Sequence, residues 1–257
     1  MACQQAHSPE IIDCHFHHHA GRESAWGPAV ETAAARNVAQ VWVSDVPWAS
    51  GSRPDRVEVE ALNAFTLRLA REHPSLVRGM VYADPRDERR ALADVRRAVE
   101  EQAMIGVKLW CSCFCDEPCV FPIAAYAQER RLPVLVHAWD KATGNLEFES
   151  SAAHVAALAA RFPDLPVIMA HHGGDWLHAC RRVAPYPRVC ADVSGSIIDH
   201  GLVDYMVAVL GPERVLFGTD NADFFACRAK VAAARIGARA RRLIFSGNAR
   251  RILEGIR

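Results

Sequence analysis

The segment Ile11-Ile12-Asp13-Cys14-His15-Phe16-His17 decides the fold prediction, because it joins the start of a buried strand to two histidines. A short apolar run of this kind is typical of a strand buried on both faces. Side chains two residues apart on a strand point to the same side, so His15 and His17 should converge. Two converging imidazoles suit a divalent metal such as zinc. A pair of hydrogen-bonded core histidines is the alternative for so short a motif.

Seven further apolar runs follow the first, and many are rich in Val and Ile. The eight runs begin near Ile11, Val41, Val77, Val107, Val134, Val167, Val189 and Val215. Stretches of helical character lie between them, among them residues 86–103, 151–162 with a serine cap, and 199–210 with an acid at the helix start. A last helix within residues 240–257 should close the fold.

Eight strand-then-helix units predict a parallel sheet that closes into a (β/α)₈ barrel. The length of 257 residues is close to the size of one such barrel, so we expect a single domain over residues 1–257. An open doubly wound sheet is the alternative. As a nucleotide binder it would need a glycine-rich turn after the first strand, and the chain has histidines there instead.

The composition argues against several classes of partner. Thirty basic and thirty acidic residues give a formal net charge of zero, which does not favour nucleic acid or an anionic membrane. The first residues are polar, and no apolar run approaches the ~18 residues that cross a bilayer. We therefore expect a cytoplasmic protein that acts on a small molecule, with a homo-oligomer as one candidate assembly.

Three later strands end, like the first, in side chains that can bind a metal ion. The fifth ends at His137, the sixth at His171-His172 before two glycines, and the eighth at Asp220. Because the carboxyl ends of barrel strands meet on one face, these side chains should form one compact site. Such nitrogen and oxygen donors favour a metal centre over purely structural roles. Asp13 is predicted either to support a ligand or to cap its strand.

These motifs also carry a resemblance to a known family. The segments Ile-Asp-Cys-His15-Phe-His17, Val-Leu-Val-His137, Met-Ala-His171-His172-Gly-Gly and Phe-Gly-Thr-Asp220-Asn resemble those of the amidohydrolase superfamily. They are most similar to its amidohydrolase-related branch, which includes aminocarboxymuconate-semialdehyde decarboxylase. The similarity extends from Ile11 to about Leu253. It implies a (β/α)₈ barrel with one divalent metal ion, usually zinc.

The resemblance implies a role for each matched residue. The metal ligands would be His15, His17, His137 and Asp220. His171 would be catalytic, and Asp220 would serve as both ligand and catalytic residue. His172 stands where other members often have glycine or an apolar residue, so it is ranked below His171 as a substrate-binding candidate.

Metal chemistry at such a centre favours hydrolysis. A divalent ion lowers the pKa of water from 15.7 toward ~7, and Asp220 can act as the general base. His171, partly protonated near neutral pH, can stabilise negative charge on the substrate. We predict a hydrolase of an amide, lactone or ester-like bond. Non-oxidative decarboxylation of an aromatic or unsaturated acid is the alternative, with Lys108 or Arg22 holding the carboxylate. A non-catalytic barrel is the remote alternative.

Six residues near the strand ends are predicted to contact the substrate. They are Lys108, Trp110, Trp139, His172, Asn221 and Asp223. The tryptophans after strands indicate an aromatic-walled site. Some relatives carboxylate a lysine near Lys108 to bridge two metals, but contact with a substrate carboxylate or packing inside the barrel is the preferred interpretation.

Nine cysteines occur without an export signal, so most should be thiols. Four of them lie in the segment Cys111-Ser-Cys113-Phe-Cys115-Asp-Glu-Pro-Cys119 after the fourth strand. Their spacing matches none of the common zinc patterns. A loop with half-buried thiols is the first interpretation, and a second metal site or a redox-sensitive lid are the alternatives.

Overall fold

The computed structural model describes residues 9–18, 33, 35–48, 50–220 and 224–257, and its strands form a parallel barrel. The eight strands pair in chain order: β1 (Ile11–Phe16), β2 (Val38–Val43), β3 (Val77–Tyr82), β4 (Gly106–Leu109), β5 (Val134–Val136), β6 (Val167–Met169), β7 (Val189–Asp192) and β8 (Val215–Leu216). The predicted barrel is confirmed. β2 begins earlier than expected, at Val38, because less apolar and only half-buried residues extend it before Val41.

Helices pack around this barrel in the described part of the chain. They are α1 (Arg56–Glu72), α2 (Glu88–Glu100), α3 (Phe121–Arg130), α4 (Ala152–Arg161), α5 (Trp176–Val183), α6 (Leu202–Leu210), α7 (Phe224–Ala233), α8 (Ala238–Arg242) and α9 (Asn248–Glu254). Ser151 caps α4 as predicted, accepting from the Ala153 amide while its own amide donates to His154 Nδ1. None of the described helices combines the length and apolar character that a membrane crossing requires.

Two helix predictions need correction. The helix expected from residue 199 begins at Leu202, and the Asp199 carboxylate accepts a hydrogen bond from the Trp176 indole instead (2.8 Å). The single closing helix expected over residues 240–257 is divided into α8, a π-helical turn (Leu243–Gly247) and α9. Within that tail, the buried Asn248 amide donates to the Val215 carbonyl (2.8 Å) and ties the chain end to β8.

Backbone hydrogen bonds join the last strand to the first. The Cys14 amide donates to the Phe217 carbonyl (2.9 Å), and the Asp220 amide donates to the His15 carbonyl (2.7 Å). The segment after β8 therefore continues the ring as far as Asp220. This seam brings the start of the chain against its last quarter.

The Asp13 carboxylate stabilises the same seam. It accepts hydrogen bonds from the Thr219 hydroxyl (2.6 Å), the Thr219 amide (3.1 Å) and the His15 amide (3.1 Å). Burial raises the pKa of Asp13 to about 7, although these hydrogen bonds oppose the shift. Of its two predicted roles, the contacts of Asp13 therefore fit the strand-end cap.

Apolar side chains fill the barrel interior below the strand ends. This inner cluster contains Ile12, Cys14, Trp42, Met80, Leu135, Ile168, Ala170, Cys190, Leu216 and Ala249. A larger apolar cluster packs the outer strand faces against the helices. Polar and ionisable side chains are concentrated above the inner cluster, at the carboxyl ends of the strands.

Candidate metal centre

Three side chains from the two sides of the barrel seam meet at the carboxyl ends of the strands. His15 Nε2 and His17 Nε2 lie 3.1 Å apart, and each lies 3.2 Å from Asp220 Oδ1. His15 and His17 are almost fully buried, and Asp220 is only slightly exposed. The structure therefore brings together three of the four side chains that the sequence suggested as ligands.

Hydrogen bonds behind the two rings fix which nitrogen faces the centre. His17 Nδ1 donates to the Ser44 carbonyl (2.6 Å), and His15 Nδ1 donates to Asp192 Oδ2 (2.8 Å). With Nδ1 protonated in both rings, each neutral imidazole presents the lone pair of Nε2 to its neighbour. Carbonyl and carboxylate partners of this kind orient metal-binding histidines.

The residues present fit a divalent cation. Two nitrogen lone pairs and the Asp220 carboxylate oxygen face one another at hydrogen-bond distance, and none of the three carries a proton in this arrangement. Such a set of buried acceptors is unfavourable unless a cation lies among them. Burial and Lys108 oppose protonation of His15, yet Asp220 and Asp192 outweigh them and raise its pKa, so the site favours a positive charge.

The fourth suggested ligand, His137, lies beside this group. Within the described chain, its nitrogens do not belong to the set formed by His15, His17 and Asp220, whose donor atoms lie within 4.8 Å of one another. His137 Nδ1 instead lies 3.1 Å from His171 Nε2. Its ligand role remains a prediction that requires a small shift of the ring.

A buried carboxylate orients His137 from behind. His137 Nε2 donates to Glu149 Oε1 (2.7 Å), which leaves the lone pair of Nδ1 directed toward the histidine cluster. Glu149 is 2 % exposed and also accepts from Lys141 Nζ (2.6 Å) and the Leu146 amide (2.9 Å). Burial raises the pKa of Glu149, but these donors outweigh it and lower the pKa to about 2.

His171 lies between His137 and the seam. Its Nδ1 is 3.0 Å from Ser194 Oγ, and its amide donates to Asp192 Oδ1 (3.0 Å). Burial lowers the pKa of His171 well below its ordinary value, although Asp220 opposes the shift. Burial therefore favours the neutral ring, in contrast to the partly protonated form expected from the sequence, which remains a prediction. Its catalytic role remains a prediction.

Strained backbone marks the same strand ends. His171 (φ 54°), His172 (φ 45°) and Asp220 (φ 53°) adopt the left-handed conformation, which costs side-chain-bearing residues about 1–3 kcal/mol each. Such strain persists only where surrounding contacts impose it, and it clusters at functional sites. Its occurrence beside the converging histidines supports a functional rather than a structural role for this face.

Gly174, which follows the two histidines, cannot accept a side chain. Its φ is +77°, and an added Cβ would lie 2.2 Å from Trp139 Cδ1 and 2.6 Å from the Asp140 carbonyl oxygen. We expect Gly174→Ala to destabilise the protein by at least ~2 kcal/mol, which lowers Tm by several degrees in a chain of this size. Gly144→Ala is the matched control, since Gly144 has φ +95° but no atom within 4 Å of an added Cβ. Equal Tm losses in thermal unfolding would contradict this packing role.

Three tryptophans border the histidine cluster. The Trp139 ring lies 4.7 Å from His171, and the Trp110 ring lies 6.3 Å from His137. Trp48 packs on Trp110 at 5.4 Å and lies 6.4 Å from His17. Trp176 packs instead on Tyr205, outside this wall.

Lys108 enters the centre from β4. Its Nζ lies 3.2 Å from His15 Nε2, and the side chain is fully buried. Burial lowers the pKa of Lys108 to about 8, while Asp220 and Asp192 oppose the shift. The structure thus places a buried cationic group at the edge of the three converging ligands.

The remaining suggested residues stand apart or outside the described chain. His172 is buried, and burial together with Lys230 lowers its pKa to about 3. Across the described residues it joins none of the groups of converging donor atoms. Asn221, Asp223 and Arg22 lie outside the described residues.

The sequence interpretation missed three residues that support the centre: Asp192, Ser194 and Glu149. Asp192 ends β7, so the strand-end rule that found His137 applies to it as well. Ser194 follows two residues later and contacts both His171 and His15 through Oγ. Glu149 carries no such signal, because it lies in the connection between β5 and α4.

The fold and the position of the histidine–carboxylate centre are those of barrel enzymes, whose active sites lie at the carboxyl ends of the strands. The model of the family described as "Amidohydrolase" matches residues 12–255. The chain belongs to this amidohydrolase family and is an enzyme, as the motifs predicted. No curated protein shows significant similarity to it.

Solved structures share the fold over nearly the whole chain. The 2,6-dihydroxybenzoate decarboxylase from Rhizobium has a TM-score of 0.78 at 16% identity, covering 96% of this chain and 99% of its own. The 5-carboxyvanillate decarboxylase from Sphingomonas paucimobilis has a TM-score of 0.75 at 16% identity, covering 97% and 100%. A dihydroxybenzoic acid decarboxylase from Polaromonas sp. JS666, with bound manganese and the inhibitor 2-nitroresorcinol, reaches 0.78 at 16% identity, covering 96% and 97%. In this chain the support for a divalent metal ion is the donor set of His15, His17 and Asp220.

Proposed function

We propose that the enzyme is a metal-dependent decarboxylase of a small aromatic carboxylic acid. The observation that carries the proposal is the buried Lys108 ammonium, 3.2 Å from His15 within the predicted metal centre. A buried cation there, next to a metal ion, would attract a substrate carboxylate. The sequence alone favoured hydrolysis, which has no need for this additional charge.

The aromatic wall supports a flat substrate. Trp139 lies 4.7 Å from His171, and Trp110 lies close to His137, so indole faces border the cluster on the side of β4 and β5. The similar proteins whose names specify dihydroxybenzoate and carboxyvanillate as substrates favour an aromatic acid over an aliphatic one.

Each catalytic side chain then has a distinct task. The metal ion, when bound by His15, His17 and Asp220 with His137, would supply positive charge that stabilises anionic substrate oxygens. The bond between the ring carbon and the carboxylate breaks, carbon dioxide leaves, and the bonding electron pair remains on the ring carbon. One proton, drawn ultimately from water, must reach that carbon. In this proposal Asp220 carries the proton, and His171 donates a hydrogen bond to the substrate.

Zinc is the metal we propose, since imidazole nitrogens and one carboxylate oxygen are common zinc ligands. The same donors also accept manganese, which a similar decarboxylase contains. Elemental analysis of the purified protein, followed by reconstitution of chelated protein with each metal, distinguishes the two.

Substrate screening tests the proposed reaction. Hydroxylated benzoic acids are incubated with the metal-loaded enzyme, and released carbon dioxide is measured beside loss of the acid. Amides and lactones are assayed in parallel for ring opening or amine release. Carbon dioxide release in proportion to loss of the acid is expected, and turnover confined to amides or lactones would refute decarboxylation.

Hydrolysis is the second candidate, and the position of Asp220 is compatible with it. Asp220 Oδ1 is equally distant, at 3.2 Å, from His15 Nε2 and His17 Nε2, and the side chain is slightly exposed. A carboxylate so placed can accept a proton from an attacking water as well as deliver one to a ring carbon. The parallel assay of amides and lactones therefore tests both candidates.

Lys108 distinguishes the two reactions within the same protein. We expect Lys108→Met to lower kcat/KM for the aromatic acid at least tenfold, since loss of a buried charge partner costs about 2 kcal/mol or more. The metal content is measured in the same samples, because Lys108 also contacts His15. Arg239→Met is the control, since Arg239 is an exposed cation paired with Glu213 rather than with a residue of the centre. An unchanged kcat/KM with a full complement of metal would remove Lys108 from substrate binding.

A further inference from the structure

We propose a second metal site, formed by Cys113, Glu117 and Cys119 on the segment between β4 and α3, that takes a thiophilic divalent ion such as zinc. Their donor atoms all lie within 4.8 Å of one another. The group is separate from the histidine centre and has no part in the proposed reaction. Cys113 is buried, whereas Cys119 and Glu117 are half-buried, so an ion can reach the site from solvent.

The distance between the sulfurs favours a metal ion over a disulfide. Cys113 Sγ and Cys119 Sγ are 3.7 Å apart. Two thiolates bound to zinc at ~2.3 Å in tetrahedral geometry are separated by about 3.8 Å, so the observed spacing needs no movement. A disulfide requires about 2.05 Å, and the sulfurs would have to approach by about 1.6 Å.

Charge around the two thiols also favours a cation. The negative charge of the Glu117 carboxylate raises the pKa of both thiols. Asp84 has the same effect on Cys113, and Glu88 has it on Cys119. Burial and these carboxylates raise the pKa of both thiols, so thiolates there lack sufficient positive charge even though the Arg86 guanidinium interacts with Cys113. Binding of a divalent ion releases the two thiol protons to solvent and replaces them with that charge. Three protein ligands leave one tetrahedral position for water.

A metal ion bound by Cys113, Glu117 and Cys119 would stabilise the segment that carries Glu149, which lies next to the histidine centre. Between the two cysteines, Phe114 stacks on His154 with ring centroids 4.4 Å apart, and the Cys115 amide donates to Ser150 Oγ (3.0 Å). Ser150 directly follows Glu149, the carboxylate that orients His137. An ion at Cys113 and Cys119 would thus hold the segment after β4 against the segment that carries Glu149.

Cobalt substitution and thiol protection test the site in the full chain. Thiolate ligation of Co²⁺ gives a near-ultraviolet charge-transfer band that histidine and carboxylate ligands do not give. Because Cys111 converges with His137 and Glu149, Cys111→Ser is measured beside the wild type, and the band of the proposed site should persist in it. We expect the band in the wild-type protein and no band in Cys113→Ser/Cys119→Ser. The double variant should also bind one equivalent of zinc per chain less than the wild type. Cys180→Ser, a buried thiol on α5, is the matched control and should keep both.

Two further measurements do not depend on folding of the double variant. In the wild-type protein, zinc should protect Cys113 and Cys119 from alkylation, and a chelator should expose them. Glu117→Gln should weaken zinc binding at this site at least tenfold in competition with a chelator. Equal alkylation with and without zinc, an unchanged zinc count in the double variant, or a Cys113–Cys119 disulfide in zinc-treated protein would each overturn the proposal.

Discussion

Replacement of both His15 and His17 with alanine should remove the metal of the histidine centre and abolish turnover, while the barrel still folds. The two imidazoles supply two of the three donor atoms that converge at hydrogen-bond distance, and the remaining carboxylate alone is a weak ligand. The inner apolar cluster below the centre is untouched, so the chain should unfold cooperatively, though at a lower Tm. Elemental analysis, activity and circular dichroism of the same sample provide the measurement.

His178→Ala is the control for this variant. His178 is an exposed histidine on α5 that pairs only with Asp175 within the described residues, so its loss should change neither metal content nor activity. If His15→Ala/His17→Ala retained the same metal count as this control, the ligand assignment would be wrong. An unfolded double variant would instead be compared through His17→Gln, which keeps the approximate volume and removes one nitrogen donor.

Asp220→Asn should lower kcat by about 10²–10⁴-fold with the fold retained. The amide has the shape of the carboxylate but cannot take up and release a proton in the reaction. Burial raises the pKa of Asp220, but the neighbouring imidazoles of His15, His171 and His17 outweigh it and hold that pKa far below the ordinary carboxyl value. The native side chain is therefore ionised when substrate arrives. Both candidate reactions need that carboxylate, so this effect is expected whichever bond is broken.

The metal content of Asp220→Asn decides how its loss of turnover is interpreted. Asp220→Asn that retains metal and loses turnover places Asp220 in proton transfer, whereas joint loss of metal and turnover places it among the ligands alone. Asp199→Asn, an exposed carboxylate bound to the Trp176 indole, is the matched control. Turnover within twofold of the control would remove Asp220 from the mechanism.

The strand ends were predictable from the sequence because two simple rules apply there. Residues two apart on a strand share a face, and parallel strands in a barrel share an edge. From these two rules, the sequence predicts that His15, His17 and Asp220 lie close together. Applied without exception, they would also have identified Asp192, which ends β7 and orients His15.

Other parts of the site depend on the paths of the connections. Glu149 lies 12 residues beyond His137, and nothing in its local sequence distinguishes it from a surface glutamate. It reaches His137 only because the connection between β5 and α4 folds back. Similarly, the Asp199 carboxylate bonds to the Trp176 indole rather than opening α6, since a tertiary partner outweighed its local preference as a helix cap.

The seam between β8 and β1 also determines when the enzyme can acquire its metal during synthesis. Asp13 and Thr219, which close the ring, are 206 positions apart in the chain. Asp220 follows immediately, so a nascent chain on the ribosome has no complete set of ligands until most of the protein has emerged. Metal loading of the histidine centre should therefore follow barrel closure, and chains truncated or stalled before residue 220 should lack metal at that centre.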